Sequence, residues 1–369
     1  MRAARVEVDL TAVAHNVGAV RSAVAPALVC AVVKADGYGH GAIAVSEAAL
    51  AAGADWLGVA LVEEAAVLRR AGIDAPILLL SQPRVADLAA VVRFDLRPTI
   101  TSPVAVGPLA DVAREQGRVV PVHLKVDTGM NRIGVAPSAA LDLAREIVGR
   151  PELRLEGVFT HCAVADDPTH PFTDEQLDRF EAVLAELADA GIEPTIRHAG
   201  NSAVAIAHPR GRYDLVRTGI AVYGIAPSEH LDGDVALRPA LSLRAEVSQV
   251  KRVRAGEGVS YGLRHRFVAD TNVATVPIGY ADGVPRRLGL VGGEVLVGGR
   301  RRPIVGVVTM DQLMVDCGDD PVEVGDEVVL IGRQGDDVLT ADELAARLDT
   351  IPYEIVCGIG PRVPRWYNR

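Results

Sequence analysis

The sequence predicts an α/β protein: an N-terminal (β/α)8 TIM-like barrel followed by a C-terminal, mainly antiparallel β domain. Three observations predict it. Apolar runs of strand length alternate with helical patterns over the first two-thirds of the chain. Near Pro239 the pattern changes to alternating polar and apolar residues broken by glycine-rich turns. Hydrophobic residues make up 49% of the chain but aromatic ones only 4%, so Ala, Val, Leu and Gly must build the core, as α/β layers allow. At 369 residues the chain exceeds one ordinary core. The boundaries read 1–238 for the barrel and 239–369 for the β-rich domain, with residues 1–9 expected as a strand that pairs with the second domain.

Val6 and Val8 alternate with charged residues as a short strand, and Asp9 is placed to cap a helix over 11–25. Strands are expected near 27–33, 56–60, 77–80, 96–100, 119–126, 155–160, 195–198 and 213–217. The first is an unbroken apolar run into Lys34, as suits a strand buried on both faces. The fourth is the weakest, because Pro98 sits poorly in a central strand. Helical patterns fill the gaps, for example 42–52 ending at Gly53 and 174–190 ending at Gly191, where glycine is a normal stop. Eight such units close into a barrel. An open doubly wound sheet would want a G-x-G-x-x-G turn after its first strand, and Lys-Ala-Asp-Gly-Tyr-Gly-His-Gly does not fit that pattern. In the second domain 241–250, 272–277, 294–297, 303–308 and 327–331 read as strands, and only 340–348 as helix. The basic triplet Arg300-Arg301-Arg302 reads as a hairpin tip.

A net charge of −10 argues against a nucleic-acid surface, which needs clustered Lys and Arg. The N-terminus lacks an apolar signal core, and no apolar run reaches the ~18 residues of a membrane span. Cysteines 30, 162, 317 and 357 show no zinc spacing or disulfide framework. The expectation is a reduced, cytoplasmic, soluble enzyme with no metal, no nucleic-acid partner and no membrane partner.

In a closed barrel, chemistry collects at the C-terminal ends of the strands. There the chain supplies Lys34 and Tyr38 after the first strand and Lys125 and Arg132 around the fifth. It supplies His161 after the sixth, His198, Asn201 and Ser202 after the seventh, and Arg217, Gly219 and Ile220 after the eighth. Each alone reads more simply as solvation of a barrel mouth, and Lys34 alone as a lysine that snorkels to water. Together they place a desolvated amine next to loops that bind phosphate through backbone N–H groups. A reactive lysine beside a phosphate cradle points to pyridoxal 5′-phosphate held as a Schiff base.

The chain resembles the alanine racemases over essentially its whole length. The resemblance rests on Ala31-Val-Val-Lys-Ala-Asp-Gly-Tyr-Gly-His-Gly41, Lys125-Val-Asp-Thr-Gly-Met-Asn-Arg132, Arg217-Thr-Gly-Ile-Ala-Val-Tyr-Gly224, Val259-Ser-Tyr-Gly262, Gly279-Tyr-Ala-Asp-Gly283, Met310-Asp-Gln312 and Arg362-Val-Pro-Arg365. It implies a homodimer in which each site is finished by the partner's β-rich domain, and interconversion of L- and D-alanine that supplies D-alanine for peptidoglycan. By resemblance Lys34 holds the cofactor and is the base on one face of the substrate α-carbon, and Tyr261 from the other subunit serves the opposite face. Arg217 faces the pyridine nitrogen, with His161 close to the acid–base pair and His198 as a buttress. Tyr38, His161, Asn201, Ser202, Gly219 and Ile220 contact the cofactor, four of them (Tyr38, Ser202, Gly219 and Ile220) through its phosphate. Arg132 takes the substrate carboxylate and Met310 offers its backbone N–H. Lys125 carries a carbamate that steadies Arg132, and Tyr280 and Asp311 line the entrance.

One position departs from the family. Some relatives have a tyrosine just before Arg-Val-Pro-Arg, where this chain has Pro361, which offers neither hydroxyl nor N–H. Turnover of serine beside alanine is therefore an open alternative. A second is a non-catalytic carrier of pyridoxal phosphate, although such barrels lack a β-rich domain. An amino-acid decarboxylase of the same fold is disfavoured by the Tyr261 and Met310 motifs, and a cofactor-free sugar- or phosphate-binding barrel by the surroundings of Lys34.

Overall fold

The computed structural model describes residues 3–368. The chain forms two units. One comprises Thr11–Gly37 and Ala42–Pro239; the other comprises the residues up to Leu10, Tyr38–Gly41 and those from Ala240 onward. Strand β1 (Arg5–Asp9) belongs to the second. Strands β2 (Leu28–Val32), β3 (Trp56–Val59), β4 (Ile77–Leu79), β5 (Thr99–Ile100), β6 (Val120–Lys125), β7 (Leu153–Phe159), β8 (Ile196–His198) and β9 (Leu215–Thr218) belong to the first.

These eight strands run parallel as two four-stranded sheets, β4-β3-β2-β9 and β5-β6-β7-β8. Single backbone contacts join them into a barrel. Leu79 N–H donates to Arg97 C=O and Arg97 N–H to Ile77 C=O, both at 2.9 Å, across one seam. Asp214 N–H donates to Arg197 C=O at 3.0 Å and Arg217 N–H to Gly200 C=O at 2.7 Å across the other. Pro98 explains why β5 is only two residues long: the strand begins just after it, and its carbonyl accepts from His123 N–H at 3.0 Å without needing a donor of its own. Cys30, Trp56, Leu78 and Leu215 fill one layer of the interior, as side chains from alternating strand positions must in a packed barrel. Helices such as Leu10–Val24, Ala42–Ala51 and Phe172–Asp189 connect the strands.

The second unit adds β10 (Leu241–Glu246), β11 (Gln249–Val253), β12 (Gly258–Val259), β13 (His265–Arg266), β14 (Thr271–Val276), β15 (Glu294–Val297), β16 (Arg300–Pro303), β17 (Leu313–Asp316), β18 (Glu327–Gln334), β19 (Asp337–Leu339) and β20 (Arg365–Asn368). Its main sheet has the order β16-β15-β18-β10-β1-β20, with β19 on β18. All its pairings are antiparallel except β1 with β20. A second sheet, β11-β14-β17, and the hairpin β12-β13 complete it.

Four expectations for this unit need correction. The stretch 241–250 is not one strand but β10 and β11, which belong to different sheets. The arginine triplet is no hairpin tip. It lies within β16, and Gly298 and Gly299, both at positive φ, make the turn. Arg301 is held by Glu343 at 2.5 Å and Asp337 at 3.1 Å. No strand spans 303–308, because β16 ends at Pro303. A second helix, Pro352–Cys357, follows Ala341–Leu348. Six residues are too few to show a helical period, and the proline sits at the start of the helix, where its missing N–H costs nothing.

Candidate active site

Lys34 stands at the end of β2, half-buried. The backbone after it is unusual: Ala35, Asp36, Gly37 and Tyr38 have φ of 53°, 52°, 61° and 51°. Left-handed helix costs an L-residue about 1–2 kcal/mol, so the surroundings must enforce this turn. Within the barrel, Glu64 Oε1 accepts from Ala35 N–H at 2.7 Å, Asp36 Oδ1 accepts from Ala42 N–H at 2.9 Å and Val33 C=O accepts from Gly37 N–H at 2.9 Å. The other Glu64 oxygen accepts from Ala60 and Leu61 at 2.8 and 3.1 Å, so one carboxylate both starts the Val62–Arg70 helix and pins the lysine turn.

Lys125 ends β6 and is buried. Desolvation and the nearby charges of Arg217, Arg132 and Lys34, only partly offset by Asp127, push its pKa down to about 7. Arg132 follows in a tight loop. Asp127 Oδ1 accepts from Gly129 and Asn131 N–H, both at 3.0 Å, and Val135 N–H closes on Lys125 C=O at 2.9 Å. His161, after β7, is held well below the usual histidine range by burial and then by the charges of Arg217, Lys125, Arg132 and Lys34.

Arg217, on β9, is buried. One terminal nitrogen donates to His198 Nδ1 at 2.9 Å and His198 C=O at 3.2 Å. The other donates to Thr160 C=O at 2.8 Å, Ala199 C=O at 3.1 Å and His161 Nδ1 at 3.3 Å. Burial lowers its pKa to about 10, still far above neutrality, so the guanidinium stays charged. Its Nε–H is the one donor outside this set. The Phe159 ring lies under both cations, 5.0 Å from the Arg217 guanidinium carbon and 5.4 Å from Lys125 Nζ. Asn201 caps the Ser202–Ala207 helix through Val204 N–H at 2.9 Å. Ser202 Oγ accepts from Gly219 N–H at 3.0 Å, which ties that helix start to the turn at Gly219-Ile220.

Barrel-side residues named from the sequence therefore converge. Lys34, Lys125, Arg132, Arg217 and His161 feel one another's charge. Three others were missed: Glu64, Phe159 and His123. Only His123 carried a signal, since it lies two positions before Lys125 on a strand and so shares its face.

The remaining named residues lie in the β-rich unit. Tyr38 is buried there, with its ring 6.1 Å from that of Tyr353, and desolvation pushes its pKa up. Tyr261 sits between β12 and β13, 72% exposed. Ser260 before it and Leu263 after it have φ of 62° and 45°, and Ser260 Oγ donates to Val307 C=O at 2.7 Å. Met310 and Tyr280 are also exposed. Tyr280 N–H donates to Thr309 C=O and Ala281 N–H to Met310 C=O, both at 3.0 Å. Arg362 reaches Asp311 at 2.7 Å and the buried Asp282 at 3.4 Å. Pro361 lies in the preceding turn.

The parallel barrel, with an amine and a buried guanidinium at its rim, defines the class: a barrel that binds an anionic, amine-reactive cofactor. Its N-terminal part, residues 8–227, matches the family model "Alanine racemase, N-terminal domain", and residues 240–367 match "Alanine racemase, C-terminal domain". An alanine racemase of Symbiobacterium thermophilum is 53% identical over 370 residues, covering 100% of this chain and 98% of that protein. The crystal structure of alanine racemase from D-cycloserine-producing Streptomyces lavendulae superposes with a TM-score of 0.95 at 40% identity, over 100% of this chain and 98% of that one. Alanine racemase from Bacillus anthracis with bound L-Ala-P gives 0.94 at 40% identity, over 100% and 96%. The chain belongs to the alanine racemase family, whose members are pyridoxal phosphate-dependent isomerases.

The residues present fit that cofactor. The charges of Arg217, Arg132 and Lys34 bear on buried Lys125 and outweigh that of Asp127, an excess of positive charge that an anionic phosphate and a substrate carboxylate relieve. Among the described residues no helix is long and apolar enough to cross a membrane.

Proposed function

We propose that this protein interconverts L- and D-alanine as a homodimer, with each site completed by the β-rich unit of the other subunit. The exposure of Tyr261 carries this reading. A phenol 72% open to solvent on a strained hairpin is available to a second molecule, and strain of this kind collects at functional sites. Pyridoxal phosphate, when bound, supplies the electron withdrawal that acidifies the substrate Cα–H. Lys34 would hold it and, once the substrate amine had taken its place, would move a proton at Nζ on one face. The phenol oxygen of Tyr261 of the partner subunit moves the proton on the other, so the configuration inverts. Arg132 orients the substrate carboxylate, and the backbone N–H of Met310 of the partner subunit meets the substrate.

Lys125 in this reading carries a carbamate. An amine with a pKa of about 7 keeps a substantial neutral fraction at physiological pH, and only the neutral amine adds CO2. The product is an anion that turns repulsion between Lys125 and Arg132 into attraction. Free cysteines throughout the described residues support a reducing, cytoplasmic compartment. Pro361 favours a second activity on serine, because no phenol narrows the site at that position.

Mixed dimers test the proposal. Lys34→Ala and Tyr261→Phe homodimers should be inactive, whereas re-associated mixtures should regain about a quarter of wild-type racemisation, the statistical share of sites with both groups intact in random C2 dimers. No recovery in proven heterodimers would overturn the shared site. Absorbance near ~420 nm, bleached by borohydride and absent in Lys34→Ala, checks the cofactor.

A further inference from the structure

A chain of polar groups runs through the barrel interior where a packed barrel is normally apolar. His198 Nδ1 lies 2.9 Å from Arg217. The far nitrogen of the same ring, Nε2, is 2.8 Å from His123 Nδ1. His123 Nε2 faces Glu156 Oε2 at 3.4 Å. Both rings are fully buried. Glu156 in turn meets Arg154 at 2.8 Å and Arg97 at 3.5 Å.

The two ends dictate the direction of every proton. A guanidinium only donates, so His198 Nδ1 accepts, and in a neutral ring the hydrogen then sits on Nε2. That hydrogen points at His123 Nδ1, which must accept, and this puts the second hydrogen on His123 Nε2. It meets Glu156, which as a carboxylate only accepts. An obligate donor at one end and an obligate acceptor at the other agree on a single tautomer for both rings. Burial, and for His198 the charge of Arg217 after it, keeps both rings neutral. Although burial alone would raise its pKa, His123, Arg97 and Arg154 hold Glu156 below the usual carboxylate range. The barrel is built around this chain. β6 carries a register shift between Val122 and His123, opposite Gly157, and a Cβ on Gly157 would overlap the His123 ring. Phe159 stacks on His198, with centroids 4.5 Å apart and planes 10° from parallel.

We propose that His123 and Glu156 are positioning residues for Arg217: a one-way hydrogen-bond chain, Arg217 to His198 to His123 to Glu156, locks the His198 tautomer and thereby the orientation of the guanidinium. This rests on the reading of Arg217 as a residue of the cofactor site. Were His198 to take the other tautomer, its Nδ1–H would face an Arg217 N–H, two donors head-on, and Arg217 would have to turn away.

The test uses ¹⁵N-histidine-labelled holoenzyme, with kcat and KM for alanine measured on separate samples. In the wild type both rings should show the neutral Nε2–H pattern, unchanged from pH 6 to pH 9. His123→Leu removes the acceptor for His198: the His198 resonances should shift toward the other tautomer and kcat should fall about tenfold with little change in KM. His123→Asn keeps an acceptor oxygen near the Nδ1 position and should restore the Nε2–H pattern and most of kcat. Glu156→Gln also offers an oxygen and should preserve the tautomers if His123→Leu does not fold. A wild-type Nδ1–H tautomer at either ring overturns the proposal, as does a folded His123→Leu enzyme with wild-type His198 resonances and kcat. The nitrogen spectrum is read without turnover, so an absence of racemisation in the wild type would remove the functional reading and leave the tautomer result standing.

Discussion

Arg217 and Tyr261 are both polar residues of a candidate active site, and the chain treats them in opposite ways. Arg217 is 4% exposed and spends four N–H groups on carbonyls and imidazoles of its own barrel. Tyr261 is 72% exposed, on a hairpin whose backbone is strained on either side. A buried cation whose two terminal nitrogens are committed to internal acceptors is fixed in orientation before anything binds. A phenol on an open loop is set by whatever docks against it. In the proposed reading, the barrel holds the part of the chemistry that must not move, and the β-rich unit presents the part offered to a second subunit.

The sharpest way to break this contrast is Tyr261→Phe. If the phenol serves only one face of the substrate, racemisation should drop by ~10²–10⁴-fold, while one alanine enantiomer still exchanges its α-hydrogen with D2O. Polarimetry and NMR on the same sample separate the two. Equal loss of both processes, or loss of neither, would remove the division of labour.

Glu64→Gln probes the rigid side. Its carboxylate accepts from three backbone N–H groups on two sides, and an amide has only one oxygen to offer. One side must then face an NH2, and the left-handed turn behind Lys34 loosens. We expect kcat to fall by about 10–100-fold, in keeping with what a small misplacement of a reacting group costs, with the cofactor more easily lost on dialysis. Wild-type kcat would mean that the turn holds without Glu64.

Lys125 lies between the two extremes, buried but not neutralised, and its titration gives a pH test. Below pH 7 both folded and unfolded chains hold the Lys125 proton. Between about 7 and the ordinary lysine value near ~10.4 only the unfolded chain holds it. Stability of carbamate-free protein should therefore rise with pH across that window, with a slope approaching ~1.4 kcal/mol per pH unit, and the rise should vanish in Lys125→Met. At constant CO2 pressure, ¹³C carbamate signal from labelled CO2 should appear over the same window and be lost in Lys125→Met. A pH-independent urea midpoint in both proteins would show that the amine is not desolvated.

Much of this was legible in residue order, and the exceptions have physical causes. The apolar run into Lys34 shows the first barrel strand, and the residues after each later strand identify most of the barrel rim. The turn at Ala35–Tyr38 was not legible. Alanine, aspartate and tyrosine rarely take positive φ, and here distant side chains impose it. His123 shares the Lys125 face of its strand, a weak signal inside the core-like run Val-His-Leu-Lys, and its contacts with His198 and Glu156 supply the rest. The Arg300–Arg302 triplet misled because consecutive cations resemble a solvated tip. Apart from Glu294, its carboxylate partners lie 18 to 42 residues away in the chain, beyond any local pattern.

The smallest effect expected comes from two glycines that differ only in what surrounds them. Gly18 lies in the Leu10–Val24 helix with nothing within 4 Å of an added Cβ. Gly157 lies in β7 against the His123 ring. Glycine in a helix interior is entropically unfavourable, so Gly18→Ala should stabilise the protein by about 0.5–1 kcal/mol. Gly157→Ala adds the same methyl where the ring cannot retreat, because His198 and Glu156 hold its two nitrogens. Overpacking of this kind costs about 1–3 kcal/mol. Opposite shifts in urea midpoint are expected, with a change in the His198 nitrogen resonances only for Gly157→Ala. If Gly157→Ala were neutral and left those resonances alone, the imidazoles would have room to move. The barrel interior would then be as adaptable as the Tyr261 loop, and the contrast between the two regions would fail.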